Sequence, residues 1–231
     1  MHLALIALLA ILPPLGLCTF FYLQDRWEPE PHGHVAAAFG LGLLAVAPAI
    51  LFAQLLERAL PALAANPLSD AFLLAGGVEE AVKLAVLLLT AYTWDEFDEP
   101  YDGIVYAVAL ALGFATTENL LYVARGGVVV AALRALFTVP GHALVGATVG
   151  YYAGRAKFAP TRPTAALLIA LGFAVAALLH GTFDYVVLTT TGWRALTLLS
   201  VLSAALWVLV MRRVRAAHES SPYNWRGGLL S

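Results

Sequence analysis

Charged side chains are scarce in this sequence: Asp, Glu, Lys and Arg together make up 12% of 231 residues, against about a quarter in an ordinary soluble domain. Cysteine is nearly absent, and the single Cys18 excludes an intrachain disulfide framework or a cysteine-rich metal site. Neither charge sign dominates. With 13 Lys+Arg against 15 Asp+Glu, the net charge of −2 offers no basic face to a nucleic acid. No repeat of fixed period is visible, which argues against a solenoid. What the sequence has in abundance is hydrophobicity, with 61% apolar residues and a mean hydropathy of +0.82. That excludes disorder and points to a lipid bilayer as the solvent.

A hydrocarbon core about 30 Å thick needs about 20 apolar residues per helical span. Seven runs of that kind lie near residues 2–23, 35–57, 71–93, 103–124, 128–153, 164–190 and 194–214. The short connections leave no room for an interdomain linker. The sequence therefore predicts an all-α, polytopic membrane bundle over residues 1–215, with a catalytic core at 71–190 and a short polar tail at 216–231. The first run lacks a basic n-region and a small-residue cleavage site, so it reads as a retained span rather than a signal peptide. Leu17 is too bulky for Cys18 to be a lipidation site.

Basic residues near the span ends set the expected orientation. With the carboxyl terminus cytoplasmic, Arg26, Arg155, Lys157, Arg162, Arg212, Arg213, Arg215 and Arg226 lie inside, against Arg58, Arg125 and Arg194 outside. Eight against three favours an external amino terminus. The loop Trp94–Asp102, with five acids and no base, falls on the inner side and reads as a solvated turn, a cation-binding or docking role remaining open. Trp193, Trp207, Tyr223 and Trp225 are candidate interface anchors, and Gly126-Gly127, Gly146 and Gly150 read as turns or close helix contacts.

Charges inside spans cost about 2.5–3.5 kcal/mol each near the bilayer centre, so they usually mark function. This chain has many: Glu79, Glu80 and Lys83 in the third run, Glu118 and Asn119 in the fourth, Arg134 and His142 in the fifth, His180 and Asp184 in the sixth. Glu79 and Lys83 are four residues apart and share a helix face, which makes them the expected pair and leaves Glu80 free. His180 and Asp184 have the same spacing. A rise of 1.5 Å per residue puts Glu79, Glu118, His142 and His180 about 16–24 Å from the inner ends of their spans. Four helices thus bring polar groups to one level, in the half of the membrane facing away from the cytoplasm.

Carboxylates and imidazoles at one depth suit hydrolysis. A glutamate in apolar surroundings can take a proton from water, and histidines can hold that water or stabilise an oxyanion. Glu79 or Glu80 with His142 and His180 would do this with no cofactor. The alternative is Zn2+ held by Glu118, His142 and His180, with Glu79 or Glu80 as base. No Ser lies in the polar cluster, so a serine mechanism has little support.

The segments carrying these residues are Glu79-Glu80-Ala81-Val82-Lys83, Glu99-Pro100-Tyr101-Asp102-Gly103-Ile104-Val105-Tyr106, Gly113-Phe114-Ala115-Thr116-Thr117-Glu118-Asn119, Pro140-Gly141-His142 and His180-Gly181-Thr182-Phe183-Asp184. In order and spacing this set resembles the PrsW family of intramembrane proteases, over residues 76–185. The family is similar in motif logic to the CAAX prenyl proteases. The resemblance implies cleavage of membrane-anchored proteins, such as anti-sigma factors, near the extracytoplasmic side of a bacterial cell membrane. It implies Glu79 as the water-activating base with Glu80 supporting, His142 sharing the water, and His180 with Asp184 stabilising the oxyanion or orienting the peptide. Glu118 stands where the CAAX proteases have a histidine; Lys83, Asn119 and Arg134 are supporting residues. The expected partners are a membrane-anchored protein substrate and the bilayer. A competing class is a proton- or cation-coupled transporter, although the inverted repeats such proteins often carry are not evident here.

Overall fold

The computed structural model describes residues 2–224, all α-helical or loop among the described residues. The long elements are α1 (His2–Leu23), α2 (His32–Ala59), α3 (Glu80–Leu89), α4 (Asp102–Leu133), α5 (Val139–Lys157), α6 (Arg162–Thr189) and α7 (Gly192–Glu219). Five stretches are long and apolar enough to cross a membrane: His32–Ala59, Asp102–Ala124, Gly126–Lys157, Arg162–Thr189 and Gly192–Glu219, with a shorter apolar helix at Leu8–Leu23. The expected all-α membrane bundle is what forms. The anchor candidate Trp225 and the basic Arg226 lie outside the described residues.

The centre of the bundle is an antiparallel pair of legs, α4 up to the break at Gly127 and the stretch beyond it that runs on into α5. Every residue from 101 to 116 and from 142 to 150 is buried, while Leu44, Leu51, Val129, Leu167 and Val201 point outward. An apolar rim around a tightly packed interior is the arrangement lipid allows, because helices in hydrocarbon associate through close packing. The closeness is set by glycine: a Cβ on Gly150 would stand 2.1 Å from the Gly103 carbonyl oxygen, and one on Gly154 would stand 2.1 Å from that of Pro100. Around this pair, α1 and α2 pack on α4, while α6 and α7 pack on α5.

The reversal between the two legs occurs at Gly127, whose φ of 69° interrupts the helical backbone. Only glycine adopts that conformation without strain. The sequence expectation of a turn at Gly126-Gly127 is met in one residue.

The third expected span, residues 71–93, departs most from a plain helix. Two short helical turns, Pro61–Ala64 and Pro67–Ser69, precede it; it then begins as a π-helix over Asp70–Glu79, becomes α-helical only over Glu80–Leu89, and ends in a 3-10 turn at Ala91–Thr93. A second π-helical stretch, Arg134–Thr138, leads into α5. Such segments are rare and concentrate at functional sites. Each runs directly into one of the motifs singled out above.

The acidic loop corrects an expectation. Asp95 and Glu96 are exposed as a solvated turn requires, but Glu99 and Asp102 are buried. Phe97 and Tyr101 enter the core beside them and draw the backbone inward. Asp102 Oδ2 then accepts hydrogen bonds from the backbone N–H of Asp98 at 2.8 Å and of Glu99 at 2.6 Å. Trp207 departs from its expected place too: it stacks on Phe21 at 6.1 Å, whereas Trp193 is exposed.

Candidate active site

Four elements bring their polar residues together. The π-to-α junction supplies Glu79, Glu80 and Lys83; α4 supplies Glu118 and Asn119; the second π-helical stretch and α5 supply Arg134 and His142; α6 supplies His180 and Asp184. The π-helical stretch lies close enough to α6 that a Cβ on Gly76 would meet the Ala177 carbonyl oxygen at 2.5 Å. That approach brings the Glu-Glu pair to His180.

Lys83 is the internal counter-ion. Its Nζ hydrogen-bonds Glu80 Oε1, lies 3.8 Å from Glu79 Oε2 and 3.4 Å from His142 Nδ1, and sits 4.6 Å above the Phe114 ring. Glu80 Oε1 also meets His180 Nδ1 at 2.7 Å. The spacing argument had paired Lys83 with Glu79 and left Glu80 free; the reverse is closer to what forms. Residues three and four apart are both neighbours on a helix face, and here the i,i+3 pair Glu80–Lys83 is the closer one. Glu80 is thereby committed to Lys83 and His180, while Glu79 Oε2 is buried with no hydrogen-bond partner.

A second tie closes the other side. Glu118 Oε2 lies 2.9 Å from His142 Nε2 and 3.0 Å from Arg134 Nη2. Arg134 Nε donates to Asn119 Oδ1 at 2.7 Å, and its guanidinium covers the Tyr122 ring at 4.3 Å. Asp184 Oδ2 approaches His180 Nε2 at 3.4 Å, and the two imidazoles meet edge to face at 5.2 Å. All nine residues singled out in the sequence thus belong to one connected cluster. Thr138 and Leu206, which line a small pocket with Phe183 against His142, His180 and Asp184, had no signal of their own: they are ordinary residue types in apolar runs, whereas Phe183 lies inside the His180–Asp184 segment. Next to that pocket, and sharing Thr138 and Phe183 with it, lies an apolar cleft of about 1040 Å³.

The donor set also fits a metal ion, with one change of ligand. Glu79, His142 and His180 each place a ligand atom within 4.8 Å of the other two, whereas Glu118, the ligand expected from the sequence, is tied to His142 and Arg134. The contact from His180 Nδ1 to Glu80 leaves Nε2 facing Glu79, 3.8 Å from its Oε2. A histidine oriented by a carboxylate behind it is a common arrangement at metal sites.

Comparison with known proteins agrees. The model of the PrsW family intramembrane metalloprotease matches residues 30–211. The chain is 41% identical to Protease PrsW of Geobacillus kaustophilus over 207 residues, covering 90% of this chain and 89% of that protein. It is 37% identical to Protease PrsW of Bacillus subtilis, covering 79% and 83%, and 33% identical to that of Clostridioides difficile, covering 96% and 95%. No solved structure matches. With motifs on four elements converging in one buried cluster inside a multi-pass membrane bundle, the chain belongs to the PrsW family of intramembrane metalloproteases.

Proposed function

We propose that this protein hydrolyses a peptide bond of membrane-anchored protein substrates, anti-sigma factors among them, with Glu79 taking the proton from the attacking water. The observation that carries this reading is the unpartnered Oε2 of Glu79 among His142, His180 and Lys83. Water adds its oxygen to the scissile carbonyl carbon and gives a proton to Glu79. His142 positions the water, and His180, held by Glu80 and Asp184, donates to the carbonyl oxygen as it gains negative charge. The C–N bond then breaks, and the leaving amine takes the proton from Glu79. Glu118 and Arg134 hold the His142 ring in place. The adjoining cleft, lined by Val130, Leu133, Phe137, Val187, Leu196 and Leu199, suits the apolar segment of a substrate. The excess of basic residues near the proposed inner span ends supports an external amino terminus and a cytoplasmic carboxyl terminus.

The donor triad supports a second reading, in which Glu79, His142 and His180 hold Zn2+. Bound there, zinc would polarise the carbonyl and acidify water. Glu80 behind His180 and Glu118 behind His142 would orient the two rings in either case.

The test is cleavage of a membrane-anchored reporter by detergent-purified protein. Glu79→Gln is expected to slow cleavage by about 10²–10⁴-fold with the melting temperature retained; cleavage at the wild-type rate would sink the proposal. Wild-type activity surviving a chelator favours water activation by the chain alone, while loss with chelator and recovery on adding Zn2+ favours the second reading.

A further inference from the structure

A second group of buried acids sits at the amino-terminal end of α4. Asp25 and Glu30 come from the connection between α1 and α2, Glu99 from the acidic loop, and Asp102 from the first turn of α4; their exposures are 7%, 3%, 0% and 1%. Asp25, Glu99 and Asp102 each place a carboxylate oxygen within 4.8 Å of the other two. Glu30 joins through the Tyr106 hydroxyl, which donates to its Oε2. The α4 helix links this group to the active-site cluster, and the sixteen residues from Asp102 to Glu118 span about 24 Å.

The independent observation is how little these carboxylates are satisfied. Both oxygens of Asp25, both of Glu99 and Oδ1 of Asp102 are buried without a hydrogen-bond partner. The Ser221 hydroxyl stands beside Glu99 without reaching hydrogen-bond geometry. Among the described residues, no Lys, Arg or His forms an ion pair with any of the four. Buried charges in proteins are paired or coordinate metals, and here two carboxylates with no hydrogen-bond partner and a third bonded through Oδ2 alone face one another.

We propose that Asp25, Glu99 and Asp102, with Glu30 alongside, form a site for a hard divalent cation, Ca2+ or Mg2+, distinct from the Glu79–His142–His180 group. The donors are carboxylate oxygens only, the set that hard cations take, completed by water. The ion would neutralise the cluster and tie the α1–α2 connection to the start of α4.

The test is thermal unfolding of the full-length detergent-solubilised protein, stripped with EDTA, dialysed, and titrated separately with CaCl2 and MgCl2. A His180→Ala background is run in parallel to disable the other candidate metal group. At a hundredfold excess over the dissociation constant the midpoint should rise by about 5–10 °C in both backgrounds. The ion giving the rise at lower concentration identifies the preferred ligand. The rise should vanish in Asp25→Asn/Glu99→Gln. Should that double variant not fold, Asp25→Asn alone is expected to weaken cation binding at least tenfold by calorimetric titration. No shift with either ion in the wild type, a shift confined to proteins with His180 intact, or unchanged binding after these substitutions would each overturn the proposal and leave the acids sharing protons.

Discussion

The two buried ionic clusters at the start and in the middle of α4 are built on opposite plans. The one around Glu79 and Glu118 mixes signs, with Lys83 and Arg134 in contact with the carboxylates. The one around Asp25 and Glu99 contains acids alone. In the self-neutralised cluster one carboxylate oxygen, Glu79 Oε2, has no hydrogen-bond partner and only the 3.8 Å approaches of Lys83 and His180. A cluster of one sign depends on protons or a bound cation to be stable at all.

Breaking the internal balance of the first cluster should have the largest effect on stability. Lys83→Met leaves Glu80 and Glu79 buried without their cation, and an uncompensated buried charge costs about 3–5 kcal/mol. The expected result is a large drop in the midpoint of denaturant unfolding in detergent. Adding Glu80→Gln should recover part of it, because the charge left stranded is then gone. A smaller effect is expected from Arg134→Met. It removes one partner of Glu118 and the donor to Asn119, a loss of about 1–3 kcal/mol for groups that keep another partner or partial access to solvent. Reporter cleavage should fall with it as the His142 ring loosens. The smallest effect belongs outside both clusters: Tyr223→Phe deletes an exposed hydrogen bond to Asp98 of 2.7 Å. No resolvable change in the melting temperature is expected, and a clear one would mean that the rim of the acidic cluster matters more than its interior.

Much of the active site was legible in the sequence because lipid makes it so. A Glu, Lys or His in an apolar run is costly enough to need a reason, and all nine flagged residues proved to be connected. The helices themselves were legible from run length alone. Local phase was not. Spacing alone allows Lys83 to meet Glu80 at i,i+3 or Glu79 at i,i+4, and nothing in the residue types announces which is closer or that Asp70–Glu79 forms a π-helix. The ligand set differs for another reason: Glu118 has the right chemistry, but Arg134 and His142 occupy it, and Glu79 stands with the two histidines instead. Asp25 and Glu30 were passed over because acids in a short polar connection look solvated, and only the inward course of Phe97, Tyr101 and Tyr106 brings the acids of both connections beneath the surface.

The reversal at Gly127 has a practical corollary. One left-handed residue joins the two legs while the Glu118–His142 and Asn119–Arg134 contacts hold them together further down, so assembly is expected to survive loss of the peptide link there. Two fragments severed at that point and co-expressed should insert separately, find each other in the bilayer, and rebuild the bundle as a non-covalent heterodimer.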